Sequence, residues 1–384
     1  MQASLTTRDD HISAMLAERI SAADFPSAVY LIAEKGRAVF ADALGHAVLD
    51  PYRITASLNT IYDLASLTKP LVTGMLCAQL VEKGELTLDS AVAHYLPEFE
   101  RTDRQMITVR ELLTHTSGLP AWRPLYILAE GERERALGVI ANEALEYKPG
   151  TQVIYSDLGF IVLGFLLERL TGKGLDELAQ TEIIEPLKLQ HTFFNPEMAL
   201  QTGIAACETG NTYERETARA LGAGHYAAWR EQVIWGEVHD GNSYFLGGAA
   251  GHAGLFSTAT ETLRLATQFL PQQSELLSGE ACTELFTRNM TAGLEEARSL
   301  SWQLAQSPES AAGPSLPPDS FGHSGFTGTS CWIDPHHERV FILLTNRTHA
   351  RSLPFVNINS VRREFHSLAT AAMTLQDKSD HTRE

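Results

Sequence analysis

Strand-like patterns occur only toward the two ends of this chain, and the long middle reads as helix. Near the start, residues 27–33 and 37–44 are rich in apolar and β-branched side chains. They flank the turn Glu34-Lys35-Gly36, the pattern of a hairpin. Near the end, residues 321–334 and 340–346 read as two strands joined at Pro335-His336-His337. Between the two ends, apolar residues recur at helical spacing over 71–83, 133–145 and 158–170, with breaks at Gly84 and Pro149-Gly150. An isolated hairpin is marginal in water, so each strand pair needs a partner. The simplest solution is one sheet assembled from both ends, with a helical lobe inserted. This reading divides the chain into a discontinuous α/β sandwich, 1–64 with 245–384, and a mainly helical part, 65–244.

Smaller features fill in this plan. Ile12, Met15, Leu16 and Ile20 give an amphipathic helix that ends at Phe25-Pro26. Residues 247–254 are mostly Gly and Ala; without a Gly-Lys-Ser/Thr ending they are not a phosphate loop, and close backbone packing or a ligand wall fits them better. Residues 307–320, dense in Pro, Ser and Ala, read as a flexible surface loop, and residues 356–370 as a last amphipathic helix.

Composition limits the partners. A net charge of -17 disfavours nucleic acid and anionic membrane surfaces, which need clustered Lys and Arg. The four cysteines, Cys77, Cys207, Cys282 and Cys331, form no Cys-x-x-Cys pair and read as free thiols. The first ten residues lack the basic start and apolar run of a secretory signal, so the chain as written reads as cytoplasmic. A trimmed signal would make it periplasmic or extracellular.

Lys69 is the one lysine with a serine three residues before it, Ser66. On a helix, residues three apart share a face. A serine hydroxyl is a weak nucleophile until a neighbour takes its proton, and a lysine of altered pKa can do so. The pair therefore reads as a nucleophile and its activating base.

Several ordered motifs surround this pair. They are Ala65-Ser66-Leu67-Thr68-Lys69, Gly84-Glu85-Leu86-Thr87-Leu88-Asp89, the segment 107–119, Tyr155-Ser156-Asp157-Leu158-Gly159 and Gly322-His323-Ser324-Gly325. In order and spacing, from about residue 27 to residue 350, the chain resembles the serine β-lactamase and penicillin-binding protein superfamily. Within it the chain is nearest to class C β-lactamase-like hydrolases, D-alanyl-D-alanine peptidases and related esterases. Residues 238–242, 251–257 and 344–347 look like a subgroup of bacterial homologues linked to cell-wall peptides. The resemblance implies an α/β (α+β) fold of the β-lactamase/transpeptidase type, an antiparallel sheet flanked by helices plus an all-helical lobe. It implies an acyl-enzyme on Ser66, proton transfers shared by Lys69 and Tyr155, and an oxyanion hole formed by the backbone N–H groups of Ser66 and Phe326. Neither a metal nor a cofactor is required.

Two positions depart from the family pattern. Asp157 stands where Asn is usual; an ionised Asp only accepts hydrogen bonds, and it favours a charged Lys69. Tyr155 then becomes the main base and Lys69 its electrostatic support. His323-Ser324 stands where Lys-Thr or His-Thr is usual, and a partly charged histidine grips a substrate carboxylate less firmly. Both changes point away from an efficient β-lactamase.

The candidate substrate-binding set is Asp157, His323, Ser324, Gly325, Trp122, His252 and Arg347. Trp122 and Tyr126 follow the Gly118-Leu119-Pro120 turn and read as cleft rim or as lobe packing. His239, Asp240 and His252 match no metal spacing and read as pocket wall or structure. Arg347 reads either as a carboxylate binder or as half of a surface ion pair. Gly322-His323-Ser324-Gly325-Phe326 is not a nucleophile elbow, because Phe326 stands where a glycine is needed. The first functional reading is hydrolysis of a peptide or amide bond in cell-wall-derived peptides, as a D-Ala carboxypeptidase or a muropeptide amidase. A carboxylesterase acting on small acyl esters is the second. A silent binding homologue is the third, disfavoured because Ser66, Lys69 and Tyr155 are all present.

Overall fold

A computed structural model describes residues 7–100, 103–223 and 226–381. The amphipathic start forms α1 (Asp10–Ser21). Asp9 caps it, its carboxylate accepting the N–H groups of His11 and Ile12. The hairpin follows as β1 (Ser27–Glu34) and β2 (Arg37–Val48), with Glu34 opposite Arg37. Lys35 and Gly36 have φ of 49° and 72°. That is the geometry of a tight two-residue turn whose twist suits the flanking strands.

The short β3 (Ile54–Thr55) pairs with β2, and β4 (Tyr62–Asp63) pairs with the distant β5 (Phe256–Ser257). The C-terminal part adds β6 (Gln303–Leu304), β7 (Phe321–Ser324), β8 (Ser330–Asp334) and β9 (Arg339–Thr345). The main sheet has seven strands in the order β3-β2-β1-β9-β8-β7-β6, every neighbouring pair antiparallel. The two ends of the chain meet where β1 pairs with β9, Ala28 opposite Thr345.

The helices used below are α2 (Met75–Glu82), α3 (Asp157–Thr171), α4 (Thr212–Ala220), α5 (Ala259–Ala266) and α6 (Asn359–His381). Alternation along the strands explains their continuous apolar runs. Tyr30, Ile32, Trp332, Phe341 and Leu343 face one core together with Ile12 and Leu16 of α1 and Val361 and Phe365 of α6. Val29, Leu31, Ile333, Ile342 and Leu344 face the other core, with Leu263 of α5 and the helical part of the chain. Both faces of the central strands are covered, so both sets of alternate residues are apolar.

Residues 307–320 do not form the free loop that their composition suggests. Ala311, Ala312 and Leu316 are buried in the core against α6. The segment is rich in small residues because it packs closely, and its turns bond internally, as Ser310 N–H to Ser307 C=O at 3.2 Å. No helix among the described residues is long and apolar enough to cross a membrane.

The glycine-rich run 247–254 packs directly on α3. A β-carbon at Gly251 would lie 2.0 Å from the Phe160 carbonyl oxygen and 3.0 Å from the Gly164 nitrogen. The Gly251 carbonyl in turn accepts the Thr73 hydroxyl at 2.7 Å, just ahead of α2. Gly251→Ala is expected to destabilise the protein by about 1–3 kcal/mol, because backbone cannot move aside cheaply. Gly138→Ala, inside the helix Ala136–Asn142 with open space around it, is expected to stabilise it by about 0.5–1 kcal/mol. Denaturant unfolding of the two variants measures both; the reverse order would refute the packing argument.

Candidate active site

Ser66 sits at the entry to an irregular helical run. Ala65–Leu67 forms a 3-10 turn, Lys69–Gly74 is π-helical, and α2 follows. Pro70 has no N–H to donate and its ring crowds the carbonyl four residues earlier. The run widens, and the Met75 N–H reaches the Pro70 carbonyl, five residues back. Ala65 has φ of 48°, a left-handed conformation that costs a non-glycine residue about 1–2 kcal/mol. The buried Asp63 holds it there, accepting the Ala65 N–H at 2.8 Å and the His239 N–H at 2.7 Å.

The strand side of the site is fastened to the same turn. Thr327 donates to the Asp63 carbonyl at 2.8 Å and Thr329 to the Leu64 carbonyl at 2.9 Å. Gly325 passes so close that a β-carbon would lie 2.1 Å from the Thr329 hydroxyl and 2.6 Å from the Leu64 carbonyl. Glycine at 325 is therefore a packing requirement. It brings the Phe326 backbone alongside Ser66, where both residues border the same cavities.

The third part comes from the N-terminus of α3. The Ser156 hydroxyl caps the helix, accepting the Gly159 N–H at 3.2 Å and donating to the Pro120 carbonyl at 2.7 Å. His115 accepts the Ser156 N–H at Nδ1, 3.0 Å away, and so helps to hold the entry to α3. Side chains alternate on this extended entry, so Tyr155 and Asp157 both face Lys69.

Lys69 is fully buried, and its ammonium is held by two hydrogen bonds and an ion pair. Nζ lies 2.9 Å from Ser66 Oγ, 3.1 Å from the His252 carbonyl oxygen and 2.7 Å from Asp157 Oδ1. It also sits 4.8 Å from the centre of the Tyr155 ring, and Tyr155 and Ser66 border the same chamber. Burial alone would lower the Lys69 pKa, but the negative charge of Asp157, with Tyr155, outweighs it and the pKa is raised. Burial raises the Tyr155 pKa and Asp157 raises it further, against the lowering effect of Lys69. At rest, then, Lys69 is an ammonium and Tyr155 a phenol. The pair can give a proton to a leaving group, and it becomes a base after losing one.

The cluster forms the floor of a chamber of about 840 Å³ that also exposes His323, Ser324, Gly325, Phe326 and Arg347. A second cavity of about 190 Å³ opens on Ser66 from another side, and Trp122 is in its wall. Tyr126 lies beneath that wall, buried, its hydroxyl 3.0 Å from Glu214 Oε2. The His252 side chain borders neither cavity; its Nε2 pairs with Asp240 Oδ1 at 2.8 Å while its carbonyl receives Lys69.

Two side chains behave differently from the sequence reading. His323 is not partly charged: burial, then Lys69 and Arg298, push its pKa well below the ordinary value, and its Nδ1 is 3.0 Å from the Ser324 carbonyl. Arg347 makes no ion pair among the described residues. Its Nε donates to the Phe326 carbonyl at 2.7 Å, its Nη1 donates to the Val356 carbonyl at 2.7 Å, and it stacks over the Phe326 ring.

Arg298 was not visible in the sequence, because no motif spacing marks it. It is buried in the chamber wall, 5.8 Å from the centre of the Tyr155 ring. Nη2 pairs with Glu296 at 2.6 Å, while Nε and Nη1 are buried without a hydrogen-bond partner among the described residues. Asp63 and Glu214 were also missed; each acts through a contact distant in sequence.

Comparison with known proteins places the chain in a family. The family model described as Beta-lactamase matches residues 9–360. An N-acetylmuramyl-L-alanine amidase of Bacillus subtilis (strain 168) is 33% identical over 356 residues, covering 86% of this chain and 79% of the relative. A putative D-alanyl-D-alanine carboxypeptidase of Escherichia coli (strain K12) is 32% identical, covering 85% and 79%. Among solved structures, a penicillin-binding protein homologue from Caulobacter crescentus superposes with a TM-score of 0.70 at 20% identity, covering 95% of this chain and 98% of that one. The family match spans most of the chain, and the chain belongs to the beta-lactamase family of serine hydrolases.

Proposed function

We propose that the protein cleaves an amide bond in a cell-wall-derived muramyl peptide, through an acyl-enzyme on Ser66. The observation that carries this reading is the buried cluster in which Lys69 Nζ bonds Ser66 Oγ at 2.9 Å and lies 4.8 Å from the centre of the Tyr155 ring. In the reactive form the pair has lost one proton. Tyr155 oxygen takes the Ser66 proton as Oγ bonds to the carbonyl carbon, and the carbonyl electrons move to an oxyanion held by the N–H groups of Ser66 and Phe326. The tetrahedral intermediate collapses, the C–N bond breaks, and Tyr155 returns the proton to the leaving nitrogen. Water repeats the sequence against the ester. An amine leaves poorly without a proton, and the proton that Tyr155 took from Ser66 meets that need.

The names of the relatives support the substrate class, a muramyl-L-alanine amide in one case and a D-alanyl-D-alanine peptide in the other. The chamber supports a carboxylate on the leaving portion. With His323 neutral, the free positions of the Arg298 guanidinium supply the cation there.

Three outcomes are expected. Ser66→Ala should lose at least about 10³-fold in release of L-alanine from N-acetylmuramyl-L-alanine, and should lose the mass adduct that a fluorophosphonate leaves on the wild type. An adduct that survives in the variant would remove Ser66 from the mechanism. Asp157→Asn withdraws the charge that raises both Lys69 and Tyr155. The basic form of the pair is then reached sooner, so the acidic limb of kcat/KM should move to lower pH by about one unit. No movement, or movement to higher pH, contradicts the assignment. Arg298→Gln should raise KM on the order of tenfold for the carboxylate-bearing substrate, and much less for its carboxamide. Equal losses on both would show that Arg298 is structural.

A further inference from the structure

The two cavities that meet at Ser66 differ in chemistry. Tyr155 borders the large chamber and not the smaller cavity. The group that protonates a leaving amine must touch it, so the leaving portion lies in the chamber. The acyl portion is left with the smaller cavity. That cavity is walled by Trp122, Tyr213 and Phe326, and carries Glu214, His239 and Asp240.

The charges at this cavity are largely compensated. His239 Nε2 lies 2.9 Å from Glu208 Oε2; burial opposes the charged ring, but the Glu208 bond outweighs it and the pKa is raised. Asp240 pairs with His252 at 2.8 Å, which keeps it ionised against its burial. Asp157, shared with the chamber, is paired with Lys69. Glu214 is pushed up to about 7 by burial and by Asp240, so near neutral pH it both donates and accepts. Its Oε1 accepts the Gly241 N–H at 2.7 Å and its Oε2 the Tyr126 hydroxyl at 3.0 Å. Compensated polar groups do not select a cation. Flat aromatic walls with carboxyl groups able to donate and accept suit a neutral ring bearing hydroxyl and amide groups. The volume of about 190 Å³ limits the occupant to about one such ring.

We propose that this cavity is an acyl-side subsite for a pyranose, with Trp122 as its apolar platform and Glu214 as its hydroxyl and acetamido partner. The proposal rests on the amidase reading and narrows it. The scissile bond joins the lactyl carbonyl of a muramyl sugar to an amino acid, with the sugar in the small cavity and the amino acid in the chamber.

The test compares N-acetylmuramyl-L-alanine with lactoyl-L-alanine, the same amide without its sugar, on wild type, Glu214→Gln and Trp122→Ala. Wild type should favour the muramyl substrate in kcat/KM by about 10²-fold. Each variant should lose that preference on the order of tenfold, the larger loss falling on the muramyl substrate. Equal losses on both substrates, or a preference that both variants keep, would overturn the subsite. If wild type cleaves neither amide, the amidase reading fails by itself. The subsite is then read from N-acetylglucosamine as an inhibitor of p-nitrophenyl acetate turnover. Inhibition that Trp122→Ala and Glu214→Gln relieve supports it. No inhibition, or stronger inhibition by a cationic amine such as lysinamide, rejects it.

Discussion

One buried contact governs the electrostatics of this site, the 2.7 Å pair between Lys69 and Asp157. An ammonium with no exposure to water is costly, on the order of several kcal/mol, unless its donors are satisfied and its charge is matched. Ser66, the His252 carbonyl and Asp157 meet both needs. The same arrangement fixes the protonation of the cluster. An anion beside Lys69 keeps it charged, and a charged lysine cannot accept a proton from serine. In the proposed mechanism the oxygen of Tyr155 becomes the atom on which proton transfer turns. Lys69 stabilises a phenolate there and Asp157 opposes it, so the chemistry depends on the balance between two neighbours of one ring.

That balance needs geometry held to a fraction of an ångström, and the fold supplies it by crossing distant segments at one point. The Asp63–Ala65 turn is held by Thr327 and Thr329 from beyond β7, by the His239 N–H, and by Leu255, whose carbonyl accepts the Leu64 N–H. Arg362 of α6 closes the back, donating to the carbonyls of Gly325 and Thr329 at 3.0 and 2.9 Å. Pairing of β1 with β9 brings the N- and C-terminal parts together, and the cluster lies on the seam between sheet and helices. A left-handed Ala65 persists because bonds on every side over-determine it.

What could be read from the sequence follows the range of each interaction. Ser66 and Lys69 are visible because a helix brings residues three apart together, and Tyr155 and Asp157 because alternation places them on one side. The hairpin and the burial of β9 are visible through period-two patterns that two packed faces turn into continuous apolar runs. Arg298, Asp63 and Glu214 have no such local signature. Arg298 reaches the site through an irregular segment ahead of β6, and Glu214 acts on Gly241 across a loop. The run 307–320 was misread for the opposite reason. Small residues and prolines suit both a mobile linker and a closely packed coil, and only Ala311, Ala312 and Leu316 in the core distinguish the two.

The two departures from the family pattern, Asp157 and His323, make sense when taken together with Arg298. An Asn at 157 would leave Lys69 without a facing anion, and a lysine at 323 would put a second ammonium beside the ring of Tyr155, 5.7 Å from its centre in the present pairing with His323. Here the anion is added and the cation removed, both of which raise the proton affinity of the Tyr155 oxygen. A buried guanidinium 5.8 Å from the Tyr155 ring centre works in the other direction. Its two unpartnered nitrogens face a further cost of burial that a substrate carboxylate would relieve. Binding of such a carboxylate would then do two things at once. It would fix the leaving portion in the chamber, and it would partly cancel the positive field of Arg298 at Tyr155, making the oxygen a better base as the substrate arrives. On the proposed reading, a site arranged in this way would favour substrates that carry their own anion and would give neutral esters no such assistance.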